Sequence, residues 1–195
     1  MRKSRVETAK TRKLIVEAAG AEFAANGISE AALARVMGAA GLTHGGFYRH
    51  FASKDQLVLE ACSKSVLSLI TGFKVVINGK APEQALGLLV GRYVSRAHRD
   101  QPRTGCPLAA LGSELARRDI RTRHAAMDGF LQLSRLIASH LETVPSRKRA
   151  KMSMAIVSAM VGAIILARIA PDSRTSDSVL VATRDHIIQS VQRRR

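Results

Sequence analysis

Apolar residues in this chain recur at spacings of three and four almost from end to end, and nowhere do they alternate for long with period two. That spacing lines one face of an α-helix, whereas alternation would line one face of a strand. No turn pair sits between two alternating runs, as a hairpin would need. The chain is therefore expected to be all-α, with about nine helices set off by glycine, proline and capping residues. With 195 residues, 46% of them hydrophobic, it can bury a core without disulfides or metal.

The punctuation gives boundaries. A first helix runs from about Val6 to Asn26, with Leu14, Ile15, Ala18, Ala19 and Phe23 inward and Asn26-Gly27 as its stop. Ser29 starts a second, facing inward with Leu33, Val36, Met37 and Ala40. A very short third follows Thr43, and a long fourth spans Ser53 to about Ile77, stopped by Asn78-Gly79. Pro82 opens a fifth that ends near Arg99, and Cys106-Pro107 a sixth that ends near Arg118. The seventh covers Ile120 to Leu141, the eighth Ser146 to Ala170, and the ninth Ser176 to Arg193.

The stretch from Ala40 to Leu57 carries the most chemistry. Gly41 can take the left-handed backbone that ends a helix. Thr43 can cap the next by accepting from a backbone N–H of its first turn. Phe47 and Phe51, four apart, anchor the short helix, while His44, Tyr48 and Arg49 fall on its other faces. Ser53-Lys54-Asp55-Gln56 is a capping box for the fourth helix. A short helix held down by aromatics and presenting polar groups after a turn suits the major groove of DNA. Thr43 and His44 would read base edges. Gly45 either lets the backbone approach DNA or serves close helix packing. Tyr48 and His50 would hold phosphates, His50 otherwise being a surface histidine on Phe51. Arg49 is a contact or simply solvated. Lys54 adds a charge-assisted phosphate contact at a helix start. Arg2-Lys3 and Arg5 form either a minor-groove arm or a free basic tail.

Leu14-Ile15, Ala18-Ala19, Phe23 and Gly27, then Val36, Ala40-Gly41-Leu42-Thr43, Gly45, Phe47-Tyr48, Phe51, Ser53-Lys54 and Leu57 together resemble the DNA-binding domain of the TetR family of bacterial transcriptional regulators. Met37, where the family has a small residue, and the Gly45-Gly46 pair depart from its pattern. The resemblance implies a helix-turn-helix domain over residues 1–54, continuing into the fourth helix at about 53–78. A helical bundle over 55–195 would serve ligand binding and dimerisation. It implies a cytoplasmic, non-enzymatic repressor that binds a pseudo-palindrome of double-stranded DNA as a homodimer and is released by a small hydrophobic or electrophilic effector, without cofactor, metal or membrane.

The net charge of +16 adds little, because nine basic and four acidic residues lie in 1–54 and twenty-two and eleven in 55–195. On the eighth helix Ala155, Ala159, Ala163 and Ala167 form a ridge of small residues with Gly162 beside it. With Ile188 of the ninth they are the expected dimer interface, the alternative being a buried central helix. The apolar run from Met152 to Ala167 is about a turn short of a membrane span. Cys106, at a helix start near Arg103, is either a reactive sensor thiol or a small buried residue. A thiol-dependent redox or electrophile-processing protein using Cys106 is the competing functional class, although no partner His/Asp arrangement accompanies it. Phe73, Tyr93 and Phe130 are the aromatics available to a pocket between the fourth and seventh helices, with His98, His124 and His140 as polar groups.

Overall fold

A computed structural model describes residues 5–192, so Arg2 and Lys3 of the basic tail lie outside the described residues. Nine α-helices and two short 3₁₀ segments make up the described secondary structure, and no strand occurs among the described residues. The helices are α1 (Arg5–Asn26), α2 (Glu30–Ala39), α3 (Lys54–Ile77), α4 (Pro82–Tyr93), α5 (Arg96–Asp100), α6 (Pro107–Leu115), α7 (Ile120–Ala138), α8 (Ser146–Ile169) and α9 (Ser173–Gln192). A 3₁₀ helix, His44–Arg49, stands between α2 and α3, and a 3₁₀ turn, Pro102–Thr104, between α5 and α6. The expected fifth helix is two: the backbone leaves the helix at Val94, and Ser95 caps α5 by accepting from the N–H of His98.

Residue contacts group the chain into two units, one of residues 1–67 with 102–127, the other of residues 68–101 with 128–195. Two of the three divisions fall inside α3 and inside α7, and the third between α5 and the Pro102–Thr104 turn. In the first unit, α1 packs against α2, α6 and the Pro102–Thr104 turn. Its core gathers Ile15, Ala19 and Phe23 of α1, Leu33, Val36 and Met37 of α2, Leu57, Val58 and Ala61 of α3, and Leu111 and Leu115 of α6. Gly20 brings α1 close to α3, since a Cβ there would stand 2.7 Å from the Ser65 hydroxyl. Leu14, expected inside, is exposed; the inner stripe of α1 is Ile15, Ala19 and Phe23, and its neighbour Leu14 points away from it.

In the second unit α8 pairs with α9, α9 with α4, and α5 with α8. Arg168 of α8 donates to the carbonyls of His98 (2.9 Å) and Arg99 (3.0 Å), closing the end of α5. Asp177 of α9 accepts from Arg96 (2.6 Å) and Arg99 (3.1 Å). The small-residue ridge of α8 divides: Ala155 and Ala159 are exposed and Gly162 half-exposed, but Ala163 and Ala167 are buried within the unit. Residues four apart advance 400° on a helix, so such a row drifts about 40° per step and rotates from the open face into the core. The open face continues instead through Met154, Ser158, Leu166 and Ile169. α8 is also longer than its apolar run, 24 residues, and by length and composition alone would suffice to cross a membrane.

Candidate nucleic-acid interface

The geometry of the turn follows from its sequence. Gly41 has φ +69°, the left-handed conformation that costs glycine nothing. Around it the Gly41 N–H donates to the Gly38 carbonyl (2.9 Å) and the Leu42 N–H to the Met37 carbonyl (2.9 Å), the pair of bonds that define a Schellman cap. The chain then enters the short helix, which is 3₁₀ rather than α: the Gly46 N–H reaches the Thr43 carbonyl and the His50 N–H the Phe47 carbonyl, both at 2.9 Å. Thr43 sits at the cap position, but its side chain accepts no capping hydrogen bond, so its hydroxyl is not committed to the helix as expected.

Phe47 and Phe51 are buried and their rings stack at 5.6 Å. Met37 is fully buried, and a Cβ on Gly46 would lie 3.9 Å from its terminal methyl, so the small residue faces the large one across the turn. Gly45 is different: a Cβ there would meet nothing within 4 Å, and intramolecular packing does not require its missing side chain. Thr43, Gly45, Tyr48 and Arg49 are all exposed, Tyr48 to 71%. The Tyr48 ring stands edge-on to Phe47 at 5.1 Å, which directs an amphipathic ring outward from the anchor. His50 and Lys54 are half-buried, at the end of the short helix and the start of α3. His44 heads the short helix, and its side chain lies outside the described residues.

The junction into α3 is the capping box expected from its sequence, braced by partners that local sequence does not single out. The Ser53 hydroxyl accepts from the Gln56 N–H (3.1 Å), and the Gln56 side chain accepts from the Ala52 N–H (2.8 Å), a capping box displaced by one residue. Gln56 also donates to Glu60 (3.2 Å). Glu60 makes a two-pronged ion pair with Arg12 of α1, whose guanidinium lies 4.3 Å above the Phe51 ring. The hydrogen bond from Arg12 holds the Glu60 carboxyl below its ordinary range despite partial burial. On the other side of the unit, buried Glu22 accepts from Arg35 and from Asn26 (2.9 Å), with Arg103 at 3.5 Å; Arg35 foremost lowers its pKa. Glu114 of α6 accepts from the Ile28 N–H (2.8 Å) beside Gly27, whose φ is +76°. These partners stand 48 and 86 residues apart, so no spacing rule could pair them.

Of the expected pocket residues, Phe73, Tyr93 and His98 come together. Cys106 occupies the N-cap position of α6 without a side-chain capping bond, and the residue is 1% exposed, which shields the sulfur from solvent. Burial, with the Cys106 sulfur as a smaller second cause, pushes the Cys62 thiol up to about 12. Phe73 and Tyr93 are both buried and pack on each other, and His98 lies edge-on to Tyr93 at 4.5 Å. His124 is exposed. His140 lines a cavity of about 250 Å³ with Pro82 and Leu86 of α4, Thr143, and Ile188 and Val191 of α9. Ile188, expected at a dimer interface, is half-buried and is one of the residues lining this cavity.

Residues 15–61 match the family model described as bacterial regulatory proteins, tetR family, and residues 82–179 the model described as the transcriptional regulator LmrA/YxaF-like C-terminal domain. A curated relative, the probable acrEF/envCD operon repressor of Escherichia coli, is 39% identical over 59 residues, which are 30% of this chain and only 27% of that protein. Among solved structures, a TetR transcriptional regulator from Chloroflexus aurantiacus superposes with a TM-score of 0.76 at 24% identity over 94% of this chain and 96% of its own. A TetR family regulator from Cytophaga hutchinsonii does so with 0.77 at 20% identity, over 96% and 98%.

Proposed function

The chain belongs to the TetR family of bacterial transcriptional regulators, and from that premise we propose that it is a ligand-responsive repressor that binds a pseudo-palindromic operator as a homodimer. One observation carries the DNA-reading part. The polar edge of the short helix, Thr43, Gly45, Tyr48 and Arg49, is exposed, while its aromatic anchors are buried and its junctions are fixed by hydrogen bonds. Thr43 and His44 read bases, Gly45 admits the DNA backbone, and Tyr48, Arg49, His50 and Lys54 hold phosphates. The cytoplasm, where the chromosome lies, is its place of work.

One short helix reads too few base pairs for useful specificity, so a second half-site is supplied by a symmetry mate. The open face of α8, with Ala155, Ala159, Leu166 and Ile169, is the surface a mate would cover; Leu166 and Ile169 are 56% and 70% exposed. A small hydrophobic effector enters the cavity beside His140 and Ile188 and favours a state whose half-site spacing no longer matches. α3 and α7 each contribute residues to both units and are the elements through which that state change is felt.

Selection of duplexes from a random-sequence pool should enrich a pseudo-palindrome, bound with a steep salt dependence. In mobility shifts on that duplex, His44→Ala and Tyr48→Phe should weaken specific binding. Specific binding left intact in both variants would remove the site assignment.

A further inference from the structure

The segment 102–127, far from the short helix in sequence, is part of the N-terminal unit. Its end is tied to that unit at two points. Glu114 accepts from the Ile28 N–H, and Arg118 reaches both the Ile28 carbonyl (3.4 Å) and the Asp55 carboxylate (3.3 Å). Asp55 follows Lys54, so the turn between α6 and α7 is held against the first turn of α3, where the proposed phosphate contacts begin. A surface groove joins Ser53 and Gln56 to Asp119, Ile120 and Arg121.

That turn is densely cationic, with Arg117, Arg118, Arg121 and Arg123 inside seven positions. Arg118 is engaged with Asp55. Arg117 and Arg121 are exposed, and among the described residues neither is ion-paired. The nearby carboxylates are committed: Asp55 to Arg118, and Asp119 to capping α7, where it accepts from the N–H groups of Arg121 (2.8 Å) and Thr122 (3.2 Å) and from the Thr122 hydroxyl (2.7 Å). Arg121 lines the groove beside the first turn of α3, Arg117 is exposed on the same turn, and two exposed guanidiniums without an ion-pair partner there match one chemistry, a row of phosphates. Arginine is suited to it because its planar fork meets phosphate oxygens pairwise.

We propose that Arg117 and Arg121 hold the phosphate backbone flanking each half-site, so that the protein grips the operator with the α6–α7 turn as well as with its short helix. This inference rests on the DNA-binding reading. It makes the footprint of one subunit wider than the bases its short helix reads, and it adds affinity without sequence information.

The test uses the full-length protein on the duplex that the wild type selects, with affinity measured across a salt series. Because each substitution is present in both subunits of the dimer, Arg117→Ala and Arg121→Ala should each flatten the slope of log K against log salt by about 1.8 and weaken binding about thirtyfold near 0.15 M salt. Their base preference should not change. Arg121→Lys should restore the slope, because lysine keeps the charge. Arg92→Ala, an exposed arginine of the other unit, controls for net charge and should leave the slope unaltered. Slopes unchanged in Arg117→Ala and Arg121→Ala while the wild type binds specifically would overturn this inference and leave the repressor reading standing. Failure of the wild type to enrich any duplex would overturn both.

Discussion

At Arg12 three interactions meet on one guanidinium: both oxygens of Glu60 and the face of Phe51. The residue touches no part of the proposed reading edge, yet it braces the ring that anchors it. Arg12→Met should destabilise the protein by about 1–2 kcal/mol in chemical denaturation, combining a partly exposed ion pair with a cation–π contact. The same pair sets an acid limb. A carboxylate held below its ordinary pKa stabilises the fold above its unfolded value and loses that contribution as pH falls through the folded one. Denaturation below about pH 4 should therefore be less pH-dependent in Glu60→Gln than in the wild type. His98 produces a second limb at higher pH. Burial lowers its pKa even though Nδ1 lies 2.7 Å from the Tyr93 carbonyl, with the charge of Arg168 a lesser cause. The unfolded chain then takes up a proton that the folded one resists, so stability is full above about pH 6.5 and declines below it. A melting temperature that falls between pH 7 and pH 5, and falls less in His98→Gln, is the expected result.

Helix ends are where the sequence was most transparent, because each rests on chemistry within five residues. Asn26-Gly27 and Asn78-Gly79 stop helices with glycines at φ +76° and +70°, Ser29 accepts from the Ala32 N–H, and Pro82 and Pro107 open helices as N-terminal prolines do. The break at Val94 was not visible, since a serine is also tolerated inside the longer helix that the apolar spacing would allow. The drift of the α8 ridge was implicit in 3.6 residues per turn, but which end of it sinks is decided by packing against α9. Gly27 is the element end with the most at stake. Gly27→Ala would force a Cβ into left-handed backbone and within 3.1 Å of the Glu114 carboxylate that holds the Ile28 N–H. A loss of about 1–3 kcal/mol is expected in equilibrium unfolding, in line with such strain plus one displaced charged hydrogen bond.

Over the whole molecule, the reading edge was legible because Phe47, Tyr48 and Phe51 lie within one turn or so of each other, while its supports were hidden by distance along the chain. Assembly belongs to this scale too. Leu166→Glu together with Ile169→Glu would place charges on the open face of α8. On the proposed reading, sedimentation should show a dimer for the wild type and a monomer for the double variant, with operator affinity falling by at least about tenfold as the second half-site is lost. A double variant that stays dimeric would shift the interface elsewhere.

Because residues 102–127 complete the N-terminal unit, that unit cannot close its core when residue 67 has been made and must wait for residue 127. Elongating the nascent chain from residue 67 to residue 127 takes about 3–12 s at common translation speeds. During that interval Phe23, Leu33 and Val58 wait for Leu111 and Leu115 while the intervening helices emerge from the ribosome. The unit's apolar faces thus stay open while the chain grows, and chaperones that shelter apolar surface on growing chains should meet them before its own α6 does.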